Sequence, residues 1–120
     1  MNALAEALLV AGGGAAGALA RWSVGLACAG CAPWGTAAIN AAGCLLIGLL
    51  AGWPQRPDWC APLLMTGLCG GFTTYSAFAL DTHRLWSEAR WAAAAGYAAA
   101  TLAACLGAVA AGWALGRRLG

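Results

Sequence analysis

Residues 70–78 read GGFTTYSAF, two glycines, two threonines and three aromatics inside an apolar run from Ala61 to Leu80. Glycine pairs weaken a helix, and threonine hydroxyls can cap a new one. The stretch Gly70, Gly71, Phe72, Thr73 and Thr74 is therefore expected to break this segment into two half-helices. A break has chemistry of two kinds: freed carbonyls can hold a cation, and a half-helix N-terminus can face an anion. Phe72, Tyr75 and Phe78 follow at intervals of three, which would carry the rings round one side of a helix. Ring edges are electropositive, so they can solvate a small anion without offering a full charge that would trap it. A glycine kink with aromatic core packing would use the same residues, and for the rings both readings stand.

Polar side chains elsewhere in the apolar runs fall into register with this chemistry. Thr36 and Asn40 are four apart, on one helix face. Tyr97, Thr101 and Cys105 repeat that spacing and predict a polar stripe along the last helix. Arg21 lies inside the first run, and Asp81 follows the aromatic segment. A stripe of hydroxyls, an amide and a thiol offers donors and no anionic group, which suits a dehydrated anion or water better than a cation. Polar groups in hydrocarbon are functional candidates by default, although single Ser, Thr or Asn residues also join helices by hydrogen bonds.

The elements that must position these groups are membrane helices. Of 120 residues, 62% are hydrophobic and 8% charged, and mean hydropathy is +0.75. A soluble domain carries roughly a quarter charged residues, so this chain lacks the polar surface to face water. Spans of about 20 residues fit at 4–28, 36–53, 60–82 and 91–115, making residues 1–120 a single four-helix membrane domain. The separators AGCAPWG, PQRPD and HRLWSEAR hold the prolines and charges of loops. The tryptophans lie near span ends, as an interfacial belt requires. GALA at 17–20 looks like a signal-peptide end, but Glu6 stands where a basic region belongs, so the segment reads as the first span.

All six cations are arginines. Four spans place Arg21, Arg84 and Arg90 on one side and Arg56, Arg117 and Arg118 on the other. Orientation follows Lys/Arg bias in short loops, and here there is none: the chain inserts both ways, or packing decides. Gly13/Gly17, Gly48/Gly52, Gly67/Gly71 and Gly112/Gly116 form four small-xxx-small pairs, some of which are expected to meet a second subunit. Gly12-x-Gly14-x-x-Gly17 also matches a dinucleotide fingerprint, but no soluble βαβ unit exists to use it. Sparse charge excludes nucleic acid. Cys28 and Cys31 form C-A-G-C without the second pair or His cluster of a tetrahedral metal site, and Cys44, Cys69 and Cys105 fall in apolar runs where a thiol acts as a small hydrophobe.

The third-span segment with Asp81 resembles the GGFTTFSTF…E signature of the CrcB/Fluc fluoride channels. GGGAAGALARW resembles their first helix and GTAAINAAGCLLIG their second, and the likeness extends over all four spans. It implies an all-α membrane protein that assembles as an antiparallel, dual-topology homodimer in the bacterial inner membrane. It implies two pores passing fluoride passively out of the cell, protecting it from fluoride toxicity. It also implies a structural Na⁺ at the dimer centre, held by backbone carbonyls of Gly70 and Thr73 from both subunits. The family's pore phenylalanines fall on Tyr75 and Phe78, its second-span Asn on Asn40, and its last-helix track on Tyr97, Thr101 and Cys105; its vestibule Arg falls on Arg21. Tyr75, Ala77, Asp81 and Cys105 depart from the family's usual Phe, Thr, Glu and hydroxyl.

The competing function is a proton-coupled exporter resembling the small multidrug transporters, which needs a membrane-central carboxylate. Glu6 is near the terminus, Asp58 and Glu88 are expected in loops, and Asp81 is expected at a span end. An unselective pore would leave the break, the aromatics and the stripe without a reason. An enzyme is not indicated: His83, expected in a loop beside Arg84, has no nucleophile arrangement around it.

Overall fold

The computed structural model describes all 120 residues. α1, Ala3–Ala27, starts where the Asn2 Oδ1 accepts the Ala5 N–H at 2.8 Å, an N-cap that satisfies one of the helix's free donors. α2, Trp34–Gly52, stops at Trp53, whose φ of −74° and ψ of 110° are extended, as the residue before a proline is forced to be. The third span opens as a wide π-helical segment, Ala61–Cys69, with Pro62 in its first turn where no N–H is needed. One α-helical turn follows, α3, Gly70–Phe72. Thr73 (φ −81°, ψ 158°) and Thr74 (φ −150°, ψ 114°) are then extended, and α4 runs Tyr75–Ser87. α5 is Trp91–Gly116. Four helical stretches, Ala3–Ala27, Trp34–Gly52, Ala61–Ser87 and Trp91–Gly116, are long and apolar enough to cross a membrane.

Helix placement departs from expectation in three respects. Gly70, Gly71 and Phe72 are helical, and only the two threonines are extended: among the bonds that break are both of Thr74's and the one from the Ala77 N–H to the Thr73 carbonyl. HRLWSEAR is mostly helix, so His83 lies on α4 and Asp81 sits well inside it rather than at a span end. Only Glu88–Arg90 connect α4 to α5. Ala89 takes φ 58° there, with its N–H on the Trp86 carbonyl and the Arg90 N–H on the Leu85 carbonyl, both at 3.0 Å. That pair of bonds is the Schellman closure, which ordinarily recruits glycine. A third departure concerns Phe72: the two extended residues reset the helical phase, so its ring no longer shares a face with Tyr75 and Phe78.

Packing is organised as two close pairs, α2 along α5, and α1 along the π-helical segment and α3, with α4 laid on α5. Glycine sets the approach. A Cβ on Gly67 would lie 2.9 Å from the Gly13 Cα, and one on Gly71 3.1 Å from the Ala18 nitrogen. Across the other pair, a Cβ on Gly48 would stand 3.1 Å from the Trp113 nitrogen and one on Gly112 2.8 Å from the Leu49 nitrogen. All four small-residue pairs thus mesh within one chain, and none is left to a second subunit. The reason is geometric: helices of one subunit need the same backbone proximity that was expected between subunits. Only 18 of 120 residues are buried, too few for a water-soluble core, so lipid or another chain must cover the rest. One buried cluster, Ala37, Leu85, Ala94 and Tyr97 with Phe78 packed on it, fixes the site's walls.

Candidate functional site

Asn40 projects from α2 at the two extended residues. Its Oδ1 accepts the Thr74 N–H at 2.7 Å and its Nδ2 donates to the Thr74 carbonyl at 2.9 Å. The side-chain amide therefore stands in for the backbone bonds that Thr74 lacks, and the pairing settles which way the amide points. Around it, the Thr74 Oγ1 accepts the Ala77 N–H at 3.1 Å, capping α4, while the Thr73 Oγ1 donates to the Cys69 carbonyl at 2.8 Å. The Arg21 Nε donates to the Gly71 carbonyl at 3.1 Å, tying α1 to the end of α3. No backbone N–H reaches the carbonyl oxygens of Gly70 and Thr73, and nothing stands within 4 Å of where a Gly70 Cβ would be.

A cavity of about 330 Å³ opens beside this junction. It is lined by Asn40, Thr73, Thr74, Tyr75, Phe78, Thr101 and Cys105, seven of the residues singled out from sequence, and also by Cys44 and Cys69. No carboxylate borders it. The N-terminus of α4 opens onto it through Thr74 and Tyr75, adding the partial positive charge of a helix start. A row of rings leads away from its mouth: Tyr75 to Phe78 at 5.6 Å, Phe78 to Tyr97 at 5.6 Å, and Tyr97 edge-on to Trp34 at 5.5 Å. Tyr97 is 1% and Thr101 5% exposed, yet neither the Tyr97 hydroxyl nor the Thr101 Oγ1 has a hydrogen-bond partner. Buried polar atoms are nearly always paired; these two hydroxyls stand near each other and near Thr36 without closing a well-formed bond, which leaves both with donor capacity to spare.

The other singled-out residues lie apart from the cavity. Tyr97 is behind it, reached through Phe78. Arg21 lines a separate hollow with Thr36 and Ala77, and Thr74 borders both. Phe72 is turned away to α2, its Cδ1 3.4 Å from the position of a Gly43 Cβ. Asn40 keeps one N–H free at most, since its oxygen and its other N–H are held by Thr74.

One pairing and three wall residues are not evident in the sequence. The Thr36 hydroxyl donates to the Asp81 Oδ2 at 2.7 Å, and Asp81 is further held by Arg84 at 3.8 Å. The signal was available: a carboxylate within helical reach of the aromatic segment needs a buried partner. Trp34 was absorbed by its reading as a belt residue. Cys44 and Cys69 read as small hydrophobes in sequence, but both line the cavity; nothing in an apolar run distinguishes a wall from a core.

Comparison with known proteins gives this arrangement relatives. Residues 8–113 match the family described as CrcB-like protein, Camphor Resistance (CrcB). The chain is 45% identical over 117 residues to the fluoride-specific ion channel FluC of Paracoccus denitrificans, covering 93% of this chain and 94% of that protein. It is 47% identical over 112 residues to the fluoride-specific ion channel FluC 1 of Thermobifida fusca, covering 90% and 92%. A third relative, the fluoride-specific ion channel FluC 2 of Natronomonas pharaonis, is 46% identical over 119 residues, covering 98% and 99%. These relatives are named for conduction, a non-enzymatic activity, and they agree with a multi-pass membrane protein.

Proposed function

The chain belongs to the CrcB-like family, and on that premise we propose that it is a fluoride-selective channel passing the ion passively out of the cell. The observation that carries the proposal is the pair of buried, unpartnered hydroxyls of Tyr97 and Thr101, beside a ring row and a carboxylate-free cavity. Fluoride is small and strongly hydrated. A pathway must replace its water with several weak donors, since one strong charge would hold it. Ring edges of Tyr75 and Phe78, the Thr101 and Tyr97 hydroxyls, the free Asn40 N–H and the Cys105 thiol supply them in sequence, with the start of α4 adding a diffuse positive field. Arg21 stands at the approach, in the hollow that adjoins the cavity at Thr74.

The functional unit in this reading is an antiparallel homodimer with two pores, the third span of each chain broken at Thr73 and Thr74. Support comes from the rim. Tyr75 is 81% exposed on the single chain, and a ring that carries a hydroxyl at the mouth of an open cavity is poorly served by lipid. Equal arginine numbers on the two sides fit insertion in both orientations. A structural Na⁺ fits the residues present: the Gly70 and Thr73 carbonyls have no backbone donor and the space beyond Gly70 is open. When bound, the ion would supply positive charge joining carbonyls of two subunits.

A proton-coupled exporter would need a carboxylate facing the pathway. Asp81 is 11% exposed but does not line the cavity, and Thr36 and Arg84 hold its oxygens. The decisive experiment is fluoride efflux from liposomes holding purified protein. Rapid efflux that tracks the fluoride gradient and ignores an imposed pH gradient is expected. No efflux, or efflux driven by the pH gradient, overturns the proposal.

A further inference from the structure

The C-A-G-C motif takes no part in this pathway. Cys28 closes α1, its N–H on the Val24 carbonyl at 2.9 Å, and the Cys31 N–H returns to the Cys28 carbonyl at 2.9 Å. A turn closed in this way brings its first and fourth Cα atoms within about 7 Å, the range a disulfide spans. The side chains also converge. A Cβ on Gly35 would lie 3.6 Å from the Cys31 Cβ and 4.0 Å from the Cys28 Cβ, so both Cβ atoms border one spot that a glycine leaves bare. Cys31 is exposed and Cys28 half-buried. A hydrogen bond with Cys28, and then the charge of its thiolate, hold the Cys31 thiol above the ordinary thiol range, as expected of two sulfurs in contact. No group of three or more His, Cys, Asp or Glu side chains is placed to hold a metal, so the pair is not part of a tetrahedral centre.

We propose that Cys28 and Cys31 are a redox dithiol that closes to an intraloop disulfide, and that the two subunits of the dimer carry it in opposite states. The second half rests on the antiparallel reading above. In that arrangement the same loop faces the cytosol in one subunit and the exterior in its partner. Thiols stay reduced in the first compartment and are oxidised in the second. The chemistry is thiol–disulfide exchange with a small disulfide such as oxidised glutathione. One cysteine thiolate attacks it, forming a mixed disulfide and expelling one glutathione thiolate. The other cysteine thiolate then displaces the second glutathione, forming the Cys28–Cys31 bond. Two protein thiols lose their protons and two electrons, and one glutathione disulfide gains them as two thiols.

Two measurements separate this inference from the topology on which half of it rests. Purified protein is incubated with oxidised glutathione, quenched by alkylation in denaturant so that the buried Cys60 and Cys69 also react, and digested for mass spectrometry. Of six free cysteines, Cys28 and Cys31 should be the two that resist alkylation, in one peptide lighter by two hydrogens. A stable glutathione adduct on Cys31, or two alkylated cysteines, overturns the dithiol whatever the orientation, and Cys31→Ser should leave Cys28 either alkylated or carrying one glutathione, with no peptide lighter by two hydrogens. Next, intact cells are treated with a membrane-permeant alkylating agent before lysis. About half of the chains should carry the disulfide. All or none oxidised, when the purified protein does close the bond, overturns the opposite states and the antiparallel reading while leaving the dithiol standing.

Discussion

Replacing Asn40 with alanine removes two hydrogen bonds at once, the 2.7 Å bond from the Thr74 N–H and the 2.9 Å bond to the Thr74 carbonyl. Neither backbone group has a helical partner to fall back on, because Thr73 and Thr74 are extended. Leaving one buried polar group unpaired costs about 1–3 kcal/mol. Asn40 is only 9% exposed, but the cavity opens beside it, so water relieves part of the loss. The expected destabilisation of Asn40→Ala is therefore about 2–4 kcal/mol. Thr101→Val is the matched contrast. Its Oγ1 is buried without a partner, so exchanging hydroxyl for methyl should be neutral or slightly stabilising, while fluoride flux falls because a donor on the pathway is gone. Unfolding titrations in mixed micelles, read by tryptophan fluorescence, measure the first quantity, and liposome efflux the second. If Asn40→Ala unfolds at the parent's midpoint, the amide does not hold the junction together. If Thr101→Val unfolds early and conducts normally, the assignment of the unpaired hydroxyl to the pathway is wrong.

Phe78→Ile should nearly abolish fluoride efflux, since an aliphatic group fills space without an electropositive edge. It also forfeits ring contacts with Tyr75 and Tyr97, both at 5.6 Å, worth about 0.5–1.5 kcal/mol each; the folded dimer is checked by size-exclusion chromatography. Tyr75→Phe keeps the ring and should keep flux, measured in the same efflux assay. Ala89→Gly should raise stability by about 0.5–1 kcal/mol, because a left-handed conformation costs a non-glycine residue 1–2 kcal/mol and glycine's extra unfolded-state freedom returns only part of that; a shift in unfolding midpoint reads it. Two or three lysines added at the C-terminus should lock one orientation and abolish efflux when that variant is expressed alone, and accessibility labelling of the C-terminus in the parent should find it on both sides.

The sequence alone determined the solvent of this protein and the number of its crossings. Transfer energies sum along the chain, so four apolar runs parted by proline and charge are legible without a fold. Local chemistry was legible too: a threonine after a glycine pair can cap a helix wherever the chain goes, and Thr74 does. Helical spacing put Thr101 and Cys105 on one face of the last span, while only the family resemblance implied that Tyr75, Phe78 and Asn40 share a site with them.

Pairings between elements were decided only by tertiary structure. Whether Gly48 and Gly112 mesh with each other or with another chain depends on which helices approach, and the small-xxx-small pattern is the same in both cases. Asn40 offers the same donors and acceptor to an ion or to a backbone; the extended Thr74 beside it settles that most of the amide holds the fold. On an isolated α4 Asp81 would have only Arg84, one turn on, and Thr36, 45 residues earlier, takes up its other oxygen. Propensity, capping and transfer energy act within a few residues of chain and so can be read along it. Satisfaction of a buried polar group depends on whichever element lies within about 3 Å, and only the folded arrangement of helices supplies that partner.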